Sequence, residues 1–172
     1  MNRRQFTINS LAVSGVIVAG VALRRATMDH PAIQAAIDQL AALRQMPLRG
    51  SGTWTPYQVF THIAQSIDYS MTGYPELKSP LFRNTAGRAA FFAFSTAGAM
   101  RHNLAEPIPG APTIAPTGSA VNAIGRVISS LKAFADYRGP LQPHFAYGDL
   151  SKEEYADAHL MHIRTHMQEI SA

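Results

Sequence analysis

The sequence predicts an all-α fold built on four main helices. Apolar residues recur at helical spacing in four separate stretches, and each stretch opens or closes on a cap or breaker signal. No stretch alternates apolar and polar residues for long enough to make a strand. At 172 residues the chain is about one domain, with enough length to bury a core.

The first helix opens on Asp29, His30 and Pro31, a cap followed by an early proline, and carries Ile33, Ile37, Leu40 and Leu43 at helical spacing. It should stop before Pro47, with Gly50, Ser51 and Gly52 as a turn. Thr55 caps the second helix and Pro56 stands in its first turn. Val59, Ile63, Ile67 and Met71 form its apolar stripe, and Gly73 to Pro75 end it. A lesser helix is expected near residues 85–100, followed by a run with prolines at 107, 109 and 112 that can be neither helix nor central strand. This region reads as a long crossover between helices 2 and 3, which lets the helices it joins run parallel. The third helix covers about 119–137, with Val121, Ile124, Ile128, Leu131 and Phe134 on one face. Ser151 and Glu154 form a capping box for the fourth helix, which carries Tyr155, His159, His162, Ile163, His166 and Ile170. Phe91, Phe92 and Phe94 read as core, ahead of a homodimer surface or a membrane-facing cover.

Composition narrows the chemistry. The absence of cysteine removes disulfides, thiolate ligands and a cysteine nucleophile, so any metal site must use imidazole, carboxylate or backbone oxygen. Four of the fifteen basic residues (Arg3, Arg4, Arg24, Arg25) precede every acidic one. The body is therefore formally neutral, and no basic stripe argues for nucleic acid. Residues 1–27 read as an export signal or N-terminal anchor, and 28–172 as the folded domain. The order Arg3, Arg4, Phe6 before an apolar run from Leu11 to Leu23 resembles a twin-arginine signal, which implies a periplasmic or otherwise exported protein. The run is short for a membrane span, and no clean cleavage site precedes Arg24, so membrane attachment through an uncleaved segment stays open.

The histidines are the candidate site. His162 and His166 stand one turn apart, about 40° apart around the helix, and His159 shares their stripe. Such a pair can grip one ion. Chance makes single pairs of this kind common among seven histidines, whereas three on one inward stripe are rarer. His62 lies among apolar residues of the second helix and can supply a third ligand from a facing wall, as helical bundles do. The competing reading makes His62 a core residue bonded to a carbonyl or to Tyr69, with the others partly solvated. His144 is placed to cover the pocket or orient a substrate, and His159 to support the ligands or replace one. A loop turn and a solvated helix position explain these two equally well. Asp68 reads as a surface residue ahead of a supporting acceptor, and His30 and His102 as structural or exposed. No glutamate stands beside the ligands as a general base.

Trp54 to Ser66, Gly73 to Pro75, Pro143 to Tyr155 and His162 to Ile170 together resemble the DinB-like superfamily, in a branch of unknown function that often carries an export signal. The resemblance covers residues 30–170 and is most specific at His62 and at His162 with His166. It implies an up-down-down-up four-helix bundle. It also implies a divalent metal (Zn, Ni or Fe) on His62, His162 and His166, with open coordination positions; some members are thiol-dependent transferases or isomerases. Three functions follow as expectations: a metal-dependent enzyme of hydrolase or thiol-transferase type acting on a small molecule, a non-catalytic metal- or ligand-binding bundle of the cell envelope, or a metal-free bundle with structural histidines.

Overall fold

The computed structural model describes residues 30–172, and the chain there is mostly helical. The expected leader and the cap at Asp29 lie outside the described residues. In chain order the elements are α1 (His30–Leu43), β1 (Arg49–Gly50), α2 (Pro56–Thr72), α3 (Pro80–Phe82), a π-helical turn (Arg83–Gly87), α4 (Arg88–Ala97), α5 (Ala120–Asp136), α6 (Lys152–Met167) and β2 (Ile170–Ser171). Among the described residues no helix is long and apolar enough to cross a membrane.

Local chemistry sets the helix starts. The Thr55 hydroxyl accepts the Gln58 N–H at 3.3 Å, while the Gln58 side chain accepts the Thr55 N–H at 3.1 Å. Ser151 and Glu154 repeat the arrangement at α6, at 3.2 and 2.9 Å, and Ser119 caps α5. Each box satisfies N–H groups that a helix start leaves without partners. The lesser helix begins earlier than expected, at Pro80, because Ser79 caps it and Pro80 fits its first turn.

The core joins Ile33, Ile37 and Leu40 of α1, Val59, Ile63 and Ile67 of α2, and Ile124, Val127, Leu131 and Phe134 of α5. Phe91 of α4 and Tyr155 and Met161 of α6 complete it. The buried arc of α5 is centred near Val127 and Leu131, so Val121 and Ile128 fall on its flank; Val121 is exposed and Ile128 half-buried. The phenylalanine run likewise splits, Phe91 pointing inward and Phe92 outward at 68% exposure. α6 is buried on nearly every side, which is why its polar residues are enclosed.

α6 ends at Met167, short of the expected Ile170. That residue pairs instead with Gly50, and Arg49 with Ser171, in a two-stranded antiparallel ribbon. The Ser51 N–H extends it to the Glu169 carbonyl at 2.9 Å. Such strands are too short to leave an alternating pattern in sequence.

The loop before α6 is held from several sides. His144 and Gly148 exchange backbone hydrogen bonds at 2.8 and 3.2 Å, and the Lys78 N–H donates to the Phe145 carbonyl at 2.9 Å. Arg88 reaches the Asp149 carbonyl at 2.9 Å and the Glu154 carboxylate at 3.1 Å. Gly87, at the end of the π-helical turn, lies so close to the Ala146 carbonyl that a Cβ there would collide with it. Its φ of −64° suits any residue, so only contact demands glycine. Gly87→Ala is expected to destabilise the protein by about 1–3 kcal/mol despite alanine's better helix propensity, measured as a lowered urea midpoint.

Candidate metal centre

α2 and α6 pack together and bring His62 against His162 and His166. The Nε2 atoms of His62 and His162 are 3.2 Å apart, and those of His162 and His166 are 2.9 Å apart. A fourth ring joins them from the segment after α4: His102 Nε2 lies 3.3 Å from that of His166. One ligand atom from each of the four histidines falls within 4.8 Å of every other. His62, His162 and His166 are buried and His102 is exposed. The Thr165 hydroxyl donates to the Met161 carbonyl at 2.9 Å and lies 3.3 Å from the Met100 carbonyl, which brings the segment that carries His102 alongside α6.

Hydrogen bonding alone cannot satisfy this cluster. The contacts run in a chain from His62 through His162 and His166 to His102, and a ring nitrogen has one N–H or one lone pair. Each middle nitrogen can make a single good bond, so at most two of the three contacts are hydrogen bonds. If the outer two are made, the shortest, between His162 and His166, is left over. A divalent ion removes the conflict. Four nitrogens at zinc-like bond lengths lie about 3.3–3.4 Å apart at a tetrahedron's edges, close to the spacings here.

Protonation fits the same use. Burial, then the charge of His102, pushes His62 down to about 4. Burial pushes His166 to about 3, with His62 and His102 adding to it. Burial, with the neighbouring imidazoles, holds His162 well below its ordinary value. His102, although exposed as a residue, has its ring partly desolvated against the cluster, which lowers it, and the Glu106 carboxylate pulls the other way. Neutral rings keep lone pairs available to a cation. The support around them is sparse: among the described residues, Nδ1 of His62 and of His166 are the buried side-chain atoms left without partners. Metal-bound histidines usually donate that N–H to a carboxylate or carbonyl.

The cluster borders a cavity of about 230 Å³, lined also by Lys78, Glu106, His144 and His159. His144 and His159 both reach the cavity, though neither belongs to the four-histidine group. The sequence offered no glutamate beside the ligands as a general base; the proline-rich run brings Glu106 to the cavity wall. Asp68 pairs with Arg126 at 3.0 Å, as a surface residue would. Tyr69 packs on Tyr74, and His62 bonds neither to it nor to a carbonyl. His102 was missed because it lies outside any helix, where no periodicity assigns it a face.

No curated protein and no solved structure matches this chain significantly. Residues 22–172 match the model of a family described as a protein of unknown function, DUF1569, and the chain belongs to that family.

Proposed function

We propose that the chain is a DinB-like four-helix bundle, with up-down-down-up course, in which His62, His162 and His166 hold a divalent metal and His102 is a fourth ligand. The observation that carries this is the chain of three Nε2 contacts that hydrogen bonding cannot satisfy. With the exposed His102 giving way to water or substrate, the protein is a metal-dependent enzyme of hydrolase or thiol-transferase type acting on a small molecule in the cavity. A histidine-held ion supplies Lewis acidity, which acidifies water or binds a thiolate. Glu106 lines the cavity and is the carboxylate able to accept a proton there. The leader with Arg3 and Arg4 supports export of the folded protein.

His102 favours a second reading. Four imidazoles close a tetrahedral zinc site, as in non-catalytic centres, whereas three leave a position open. Elemental analysis of protein purified without added metal tests the shared premise, with about one zinc, nickel or iron per chain expected. An activity screen with thiol and hydrolytic substrates, with and without chelator, separates enzyme from binding bundle. His102→Ala tests the fourth ligand in cobalt-substituted protein. The variant should keep its ion and gain an azide- or thiol-dependent change in visible absorption. If the unaltered protein takes azide equally well, His102 is not a ligand.

A further inference from the structure

Two buried imidazoles of the cavity wall are outside the metal cluster, and the hydrogen bonds around them fix which nitrogen of each is free. His144 Nδ1 accepts the backbone N–H of Ala146 at 3.1 Å and of Tyr147 at 3.2 Å. That nitrogen carries no proton, so Nε2 is the donor. His159 Nε2 lies 3.3 Å from Ser70 Oγ, and Ser70 gives its single proton to the Ile67 carbonyl at 2.6 Å. His159 must therefore donate from Nε2, which leaves Nδ1 as an acceptor.

Neither free nitrogen is among the buried unpartnered atoms of the described residues, which are Nδ1 of His62 and of His166. The free nitrogens are thus accessible, and both rings line the cavity. They flank Tyr155, with ring centroids 6.1 and 5.5 Å from it. The neighbouring hydroxyls are already committed, Tyr155 to the Gln142 carbonyl at 2.6 Å and Tyr74 to the Ser66 carbonyl at 3.1 Å.

We propose that His144 and His159 form a substrate-positioning subsite, a fixed donor beside a fixed acceptor, for an uncharged group that both accepts and donates hydrogen bonds. A carboxamide or an alcohol has that chemistry. A carboxylate has no proton for His159, and an ammonium has no lone pair for His144. Opposed side-chain charges, Lys78 and Glu106, line the same cavity, so without a bound ion neither charged probe gains a net advantage. Because the unmatched partner would stay buried and unsatisfied, discrimination of about tenfold or more is expected. The inference rests on the cavity being a substrate site, as proposed above, but not on an ion being bound.

The test uses the protein both loaded with zinc and freed of it, and four probes of similar size: benzamide, benzyl alcohol, benzoate and benzylamine, with benzoate compared on the zinc-free sample, where it has no ion to ligate. Binding is followed by NMR, and zinc content is measured on the same samples. Benzamide or benzyl alcohol should bind at least about tenfold more tightly than either ion. His144→Asn keeps a side-chain acceptor for the two backbone N–H groups, and His159→Gln keeps a donor for Ser70; each removes the free nitrogen together with the ring's packing on Tyr147 or on Phe134 and Tyr155. Both should weaken the neutral probe about tenfold with zinc content unchanged. Long-range nitrogen–proton spectra should show both rings protonated at Nε2 near neutral pH. A ring protonated at Nδ1, ions binding as well as neutral probes, no binding by any probe at millimolar concentration, or unchanged binding in both variants would each overturn the proposal. Selective benzamide binding by protein that takes up no zinc when zinc is supplied would overturn the metal reading and leave this one standing.

Discussion

His166→Ala is expected to lose its metal, with affinity for zinc falling at least about a hundredfold, beyond the usual effect of removing an outer hydrogen-bonding partner. His166 is fully buried and takes part in two of the three close nitrogen contacts, with His162 at 2.9 Å and His102 at 3.3 Å. Its loss leaves His62 and His162 as a pair and strands His102. The metal-free variant should still fold. A cavity is created, but a ring with an unpartnered Nδ1 is removed, so the two effects oppose and the net change should stay within about 2 kcal/mol. The larger signal is linkage. Saturating zinc at about a thousand times its dissociation constant should stabilise the unaltered protein by roughly 4 kcal/mol, and the variant hardly at all. Elemental analysis and thermal unfolding with and without zinc read both effects. A variant that retained one ion per chain would show the assignment to be wrong.

Acid should unfold the metal-free protein well above the range where carboxylates titrate. Burial pushes both His144 and His159 down to about 3 from the ordinary 6.5, with the charge of His159 adding to it at His144. Above pH 6.5 these side chains are neutral in both folded and unfolded chains, and their contribution is fully present. Below it the unfolded chain takes up protons that the folded chain refuses, so stability falls with pH until the folded values near 3 are reached. Below pH 6.5 each ring contributes a slope of roughly 1.4 kcal/mol per pH unit, and together they remove about 4 kcal/mol by pH 5, much of a typical domain's stability. Urea midpoints between pH 7.5 and 5 should fall steeply in zinc-free protein. Replacing both rings by phenylalanine should make the curve clearly shallower without flattening it, because His62, His162 and His166 are also held below their ordinary value in the metal-free protein. An equally steep curve in that variant would place the proton uptake elsewhere.

What could be read from the sequence was local. Thr55 with Gln58 and Ser151 with Glu154 lie within one turn of each other, and their hydrogen bonds require nothing from the rest of the fold. The inward placement of His62, His162 and His166 followed from periodicity, because each shares a helix with buried apolar neighbours. His102 and Glu106 were out of reach for the opposite reason. Their segment has no period and is placed by distant contacts: Ile108 is buried, Gly110 turns at φ +70° against Pro75 and Glu76, and Thr165 approaches Met100. Ile170 was misplaced because helical spacing continues past the point where a better partner, Gly50, ends the helix. Ser79 and Pro80 did announce the earlier helix start, but the π-helical turn behind them breaks the period that confirms such signals.

The ribbon of Arg49–Gly50 with Ile170–Ser171 bears on how readily the site can form. His166 belongs to the final turn of its helix, the place where helices ordinarily unravel. By stitching the chain just beyond that turn to the segment leading into α2, the ribbon keeps the end of one helix in register with the start of the other. An incoming ion then meets rings already gathered, rather than having to order a loose end as it binds, so little of its binding energy is spent on restraining backbone.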